Sequence, residues 1–176
     1  MGSRFILASV LSALAFIGIA NAQTGSGTLG VTATVAGSIS LTFVTDASGL
    51  AVTGAGTSTA SLPFGIVKMF GGSVPTNVTK TVSGSTSFSL ATPFDVRVDL
   101  ANSASTAYTP TATLATADAV NTWLIGATDI SSAGPFALTA AGVYGTAVPY
   151  TPHLTIPASE TAGAISNSIG FSAVGG

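Results

Sequence analysis

The acidic residues that come nearest to a general acid–base pair are Asp95 and Asp99, on either side of Arg97 in FDVRVDL, 94–100. Paired carboxylates that cleave glycosides stand roughly 5 to 9.5 Å apart. The run alternates apolar and polar residues, so both aspartates fall on one face of a strand, ~13 Å from each other. That gap is too wide for shared chemistry, and the pair reads as solvated carboxylates offered to Arg97 at each i±2 position. His153 is the only histidine, and the chain has no cysteine. Neither a His₃ nor a His₂-carboxylate zinc centre can be built from that set. A Ser-His-Asp triad would lack the G-x-S-x-G elbow that presents the nucleophile. GSGTLG, 25–30, matches a dinucleotide-binding motif by letter. The motif needs a strand before it and a helix after it, and here a strand pattern follows instead. Trp123, Tyr108, Tyr144 and Tyr150 offer ring faces for a sugar, but such residues more often pack cores and rims. Asn77-Val78-Thr79 is a glycosylation sequon. The expectation is no catalytic residue, no metal and no cofactor, hence no enzyme.

The surroundings of these residues fit that reading. Only 6% of the chain is charged, against about 25% in ordinary soluble domains. Apolar residues make up 47% and mean hydropathy is +0.65, so disorder is a poor fit. Arg4, the apolar run FILASVLSALAFIGIA and Ala20-Asn21-Ala22 read as a secretory signal peptide cut after Ala22, leaving 154 of the 176 residues. No second hydrophobic stretch follows, so the mature chain is expected to hold no integral membrane segment. Lys68, Lys80 and Arg97 face six carboxylates, a net −3 that provides no basic surface for nucleic acid. A surface of Ser, Thr, Gly and Ala titrates little and lacks the charge that keeps copies apart.

Short alternating runs separated by Gly, Pro, Ser and Asn fill the rest. Candidate strands are SLPFGIVKMF (61–70), KTVSGSTSFSL (80–90), FDVRVDL, YTPTATL (108–114), NTWLIGA (121–127), FALTA (136–140), PHLTIP (152–157) and AISNSIGFSAV (164–174). LATADAVNTW, 114–123, has room for one helical turn. Strands this short and frequent predict an all-β, antiparallel β-sandwich of one domain.

The leading run is the oddity. Leu29, Val31, Ala33 and Val35 share one parity, and after Ala36-Gly37 it resumes at Ile39, Leu41 and Phe43. Two readings are open. Leu29–Phe43 is one long strand crossing a glycine bulge within its own sheet, or the part before Gly37 completes the sheet of a neighbour by strand addition.

VTATVAGSISL, 31–41, resembles the donor strand and first core strand of the cysteine-free major pilins of alternate-chaperone chaperone–usher systems. ETAGAISNSIGFSAV, 160–174, resembles their last strand, and LPFGIV, 62–67, is similar to a segment of related bacterial surface β-domains. The resemblance implies an immunoglobulin-like sandwich that is incomplete and completed by a donor strand from a neighbouring subunit. It implies a structural subunit of an extracellular, cell-surface pilus or fimbrial filament with roles in adhesion or biofilm formation. The partners are then other copies of itself, a periplasmic chaperone and an outer-membrane usher. Residues 1–22 would be the signal peptide, 23–37 the donor extension and hinge, and 38–176 the pilin domain. Leu29, Val31, Ala33 and Val35 would enter an acceptor groove bordered by Ile39, Leu41, Phe43, Ile165, Ile169 and Phe171. Burial of the larger donor side chains and about eight ladder bonds contribute a gross ~10 to 20 kcal/mol, which must offset ordering and lost rigid-body freedom. Other classes compatible with the composition are a secreted binding module that keeps its first strand, a biofilm-matrix or surface-layer protein that associates laterally, and a secreted hydrolase dependent on His153 or a carboxylate.

Overall fold

The computed structural model describes residues 28–138 and 141–176. The expected signal peptide, residues 23–27 of the leader and the last two residues of FALTA lie outside them. Residues 35–176 form one compact unit, and the division falls between Thr34 and Val35.

Alternation in FDVRVDL acts as read: Phe94, Val96 and Val98 are buried, while Arg97 faces out. The same pattern produces eleven strands: β1 (Ser38–Val44), β2 (Thr79–Ser83), β3 (Ser87–Ala91), β4 (Phe94–Ala101), β5 (Tyr108–Leu114), β6 (Thr122–Ile125), β7 (Thr128–Ile130), β8 (Phe136–Ala137), β9 (Ala147–Tyr150), β10 (Pro152–Pro157) and β11 (Ile169–Gly175). All pairings between them are antiparallel. Hydrogen bonds order them as β1-β4-β9, β2-β3-β10-β6-β7 and β11-β5-β8. The first two sheets join, because β3 passes into β4 at Thr92-Pro93 and β9 into β10 at Thr151. Their register runs through that bend unchanged, from Ser87↔Pro157 to Arg97↔Ala147. Leu90, Leu154, Ile156 and Trp123 of this layer pack against Ala112 and Leu114 of β5. The result is an all-β sandwich. Among the described residues no helix is long and apolar enough to cross a membrane.

Several expectations are corrected. SLPFGIVKMF is not a strand: Pro63 cannot donate to a ladder, and Gly65 at φ +70° breaks the parity. Its apolar side chains still turn inward on both sides of that break, as Leu62, Phe64, Val67 and Met69 pack on the core. KTVSGSTSFSL is a hairpin rather than one strand, turning at Gly84 with φ +56°. LATADAVNTW forms no helical turn; Asp118 captures the N–H groups of Val120 and Asn121 instead. AISNSIGFSAV enters a ladder only from Ile169, and the described part of FALTA meets β5 at Phe136 and Ala137, with Leu138 N–H donating to the Pro110 carbonyl. Pairing of the first strand begins at Ser38, so the single long strand from Leu29 does not form.

The long connection between β1 and β2 is pinned by a buried knot. Thr92, 1% exposed, accepts from Leu50 N–H at 2.7 Å and donates to the Asn77 carbonyl at 2.9 Å. Asn77 sits at φ +67° and donates its side-chain amide to the Gly49 carbonyl at 2.9 Å. The sequon amide is therefore in structural use. Gly49 fits because a Cβ there would strike the Pro93 carbonyl. Replacing Thr92 by Val keeps the shape and strands two backbone groups. Its expected cost is about 1 to 3 kcal/mol, read as a lower urea midpoint at unchanged slope.

Candidate functional site

The two outermost strands of the sandwich's open side are β1 and β11. In β1 the backbone N–H and C=O of Phe43 turn away from β4 and bond to the 56–57 turn, at 2.9 Å to Thr57 O and 2.7 Å from Gly56 N. Backbone groups of an antiparallel strand alternate between neighbours, so those of Leu41 and Ile39 turn the same way. In β11, Ser168 O and Gly176 N bond toward the β5 side, at 2.8 and 3.2 Å. By the same rule Ile169, Phe171, Ala173 and Gly175 direct their N–H and C=O groups to the other side. Among the described residues no ladder meets either row: the Leu41 and Ile39 groups and those of β11 are two unpaired edges.

The sheets touch between those edges through an aromatic cluster. Phe171 of β11 lies 5.6 Å from Phe43, 5.5 Å from Phe94 and 6.0 Å from Tyr150, with edge-to-face geometry in each case. Such pairs are worth about 0.5 to 1.5 kcal/mol each beyond burial. Tyr150, covered by this cluster, has its hydroxyl pushed up to about 12, by burial first and then by Tyr108.

Beside Phe171 the space between the layers opens into a cleft of about 920 Å³. Phe43, Phe94, Leu154 and Ile156 form its apolar walls, with Trp123 at one side. Its mouth lies between residues 58–67 and 163–168, neither of which is strand. Trp123 is held in place by Asp118, whose Oδ2 accepts from the indole N–H at 2.8 Å. Asp118 Oδ1 also accepts from Val120 and Asn121 N–H, at 3.0 and 2.9 Å. Burial acts to raise this carboxyl, but the donors together outweigh it and hold it at about 2, below the ordinary 3.8.

Of the proposed groove residues, Phe43, Ile165, Ile169 and Phe171 line this cleft. Ile39 does not. It lies at the other end of β1, in a second hollow with Gly37, Leu100, Ser103 and Gly175. Leu41 packs onto the core beside Val96 and Val98 and lines neither space. Leu62, Phe64, Leu154, Ile156 and Trp123 were missed as lining residues. PHLTIP was legible as a strand, but which sheet it joined and what its inner face met were not. Leu29, Val31 and Val35 are 87%, 82% and 71% exposed, and residues 28–37 form no strand.

The other candidates separate. Arg97 pairs with Asp99 alone, at 2.9 Å, with both side chains about half exposed. Asp95 turns instead toward Asp46, and burial followed by that like charge raises its carboxyl. Tyr108 and Trp123 are buried, so the four-ring sugar platform does not form. Tyr108 packs 5.2 Å from Tyr144, and its buried hydroxyl has no hydrogen-bond partner among the described residues. His153 pairs with Ala91 and Leu124 on the outer side of β10. Among the described residues no three metal-ligating side chains gather.

No family model, no curated protein and no solved structure matches the chain.

Because the Asp118 carboxyl is depressed in the folded state, its stabilisation is complete above the ordinary value of 3.8 and fades as pH falls toward about 2. Trp123 is the only tryptophan, so its emission reports this site directly. Acid titration is expected to loosen it over that window, and Asp118→Asn should flatten the change while leaving the emission at pH 7 closer to the parent than Asp118→Ala does.

Proposed function

We propose that the protein is an exported structural subunit that polymerises head to tail. In this reading residues 29–35 of one copy fill the slot between β1 and β11 of the next. One observation carries it: β1 and β11 each leave a backbone row unpaired, the β11 row bordering an apolar cleft, while an alternating apolar segment of the same chain is exposed and unpaired. An edge left open invites another strand. The lengths agree, since Leu29 to Val35 and Ile169 to Gly175 each span ~20 Å when extended. An immunoglobulin-like sandwich with one strand position open between β1 and β11 is compatible with the strand order, and it is the incomplete fold that the pilin resemblance implies.

Direction follows from where the leader is rooted. It joins β1 at Ser38, beside Ala101 and near Gly175, whereas the cleft lies at the Phe43 end of β1. A donor running antiparallel to β11 brings its root to the cleft mouth of the recipient, whose own leader leaves from the opposite end. Every copy can then accept at one end and donate at the other, a heterologous contact that never closes and so builds a fibre. The opposite direction would crowd two leader roots at one end. The donor is therefore antiparallel to β11 and parallel to β1. Export, a cell-surface location and the chaperone and usher partners belong to the same reading, through the signal-like segment and the resemblance.

The test uses the full chain with Val31→Asp. An aspartate buried without a partner costs several kcal/mol, so the subunit concentration needed for assembly should rise ~100-fold or more. The monomer should stay folded, since Val31 is exposed in it. Assembly of the unaltered chain should also shift Trp123 emission to the blue as the cleft dries. Filaments of ordinary length from Val31→Asp, or from a chain lacking residues 23–36, would refute the donor role.

A further inference from the structure

We infer that the loop 64–72, whose first residues 64–67 line the cleft, is a second subunit contact, against the body of the copy whose leader fills that cleft. It rests on the donor reading above. Ile66 is 90% exposed and Phe70 is 65% exposed, the largest apolar side chains so exposed in residues 35–176. The loop is anchored rather than loose. Val67 and Met69 pack on the core, and Lys80 Nζ donates to the carbonyls of Lys68 and Gly71 at 3.2 and 3.0 Å. Gly65, Gly71 and Gly72 adopt φ of +70°, +62° and +71°, turns that lift Ile66 and Phe70 outward while their neighbours stay in. Ile66 also borders the cleft itself.

The occupant is fixed by the tether. Only Ala36 and Gly37 separate Val35 from β1, and two or three extended residues reach ~10 Å at most. A body that has delivered Val35 to the mouth of the cleft must therefore abut the rim with the end from which its leader departs. That end gathers Gly37, Ser103, Ala104, Ser105 and Gly176 around a shallow hollow, none of them charged in its side chain. Val143, 59% exposed, precedes Tyr144, whose hydroxyl meets Ser105 at 3.0 Å at the same end. A partly apolar surface, with no charged side chain around its hollow, is thus carried to the loop on which Ile66 and Phe70 stand in water. Burial of both would fix the angle between successive subunits, which a donor strand alone leaves free to swivel at Gly37.

The absence of cysteine makes the contact directly readable. The full chain carrying both Ile66→Cys and Val143→Cys, assembled and then mildly oxidised, should give a ladder of covalent multimers on a non-reducing gel. Either single variant should give no species beyond a dimer. Separately, Ile66→Asp with Phe70→Asp should raise the concentration needed for assembly at least ~10-fold, with the circular dichroism of the monomer unchanged. Intact filaments without the ladder, or unchanged assembly by the double aspartate variant, would overturn the rim contact and leave the donor reading standing. Failure of the unaltered chain to polymerise at all would overturn both.

Discussion

Phe171 is where the two layers of this protein are held together on their open side. It is the only ring of β11, and it reaches across to Phe43, Phe94 and Tyr150, which come from β1, β4 and β9. A sandwich normally closes such a side with strands whose ladders satisfy the backbone. Here side-chain contact does that work while the backbone rows of Ile169 to Gly175 and of Ile39 to Leu41 stay unpaired. The arrangement can hold because aromatic packing needs no hydrogen bonds and because an edge with access to water is not penalised as a buried one is. The cleft opens where the cluster ends.

Little else in the molecule depends on charge. Arg97 and Asp99 form an exposed pair, a kind of contact that water and salt screen and that adds little to stability. The polar groups that matter are neutral or act locally. Thr92 and Asn77 pin a connection of more than thirty residues to the bend between β3 and β4. Asp118 gathers the N–H groups that would otherwise have started a helical turn and aims Trp123 at the cleft. Lys80, one of the few cations, spends its ammonium on two loop carbonyls rather than on a carboxylate. A body built this way responds weakly to salt, and its surface puts up little electrostatic resistance to meeting another copy.

The irregular segment 57–67 shows how function and fold divide the same residues. Leu62 and Phe64 face inward and complete the core, while Ile66, two residues on, is almost wholly exposed. Gly65 makes the switch. A regular strand would have kept one parity throughout, burying Ile66 with the others and leaving no apolar rim.

Period-two alternation determined by itself that the chain is all-β, where β4, β5, β6 and β10 would run, and that the leader has an apolar face of its own. Those are local properties: the pleat alternates side chains whatever the strand pairs with. Composition likewise left no thiolate and no His₃ or His₂-carboxylate zinc set, without any coordinates. Only the tertiary structure decided which rows of backbone groups are left unpaired, because a ladder is a relation between strands distant in sequence. It also decided that Leu154, Ile156 and Trp123 share a cleft with Phe43 and Phe171, that Ile39 lies at the opposite end of β1 from that cleft, and that SLPFGIVKMF is a loop. The parity of Ile39 matches that of Phe43, but parity fixes a face and not a place along it; which end of the strand met which segment was set by pairing over more than fifty residues of sequence.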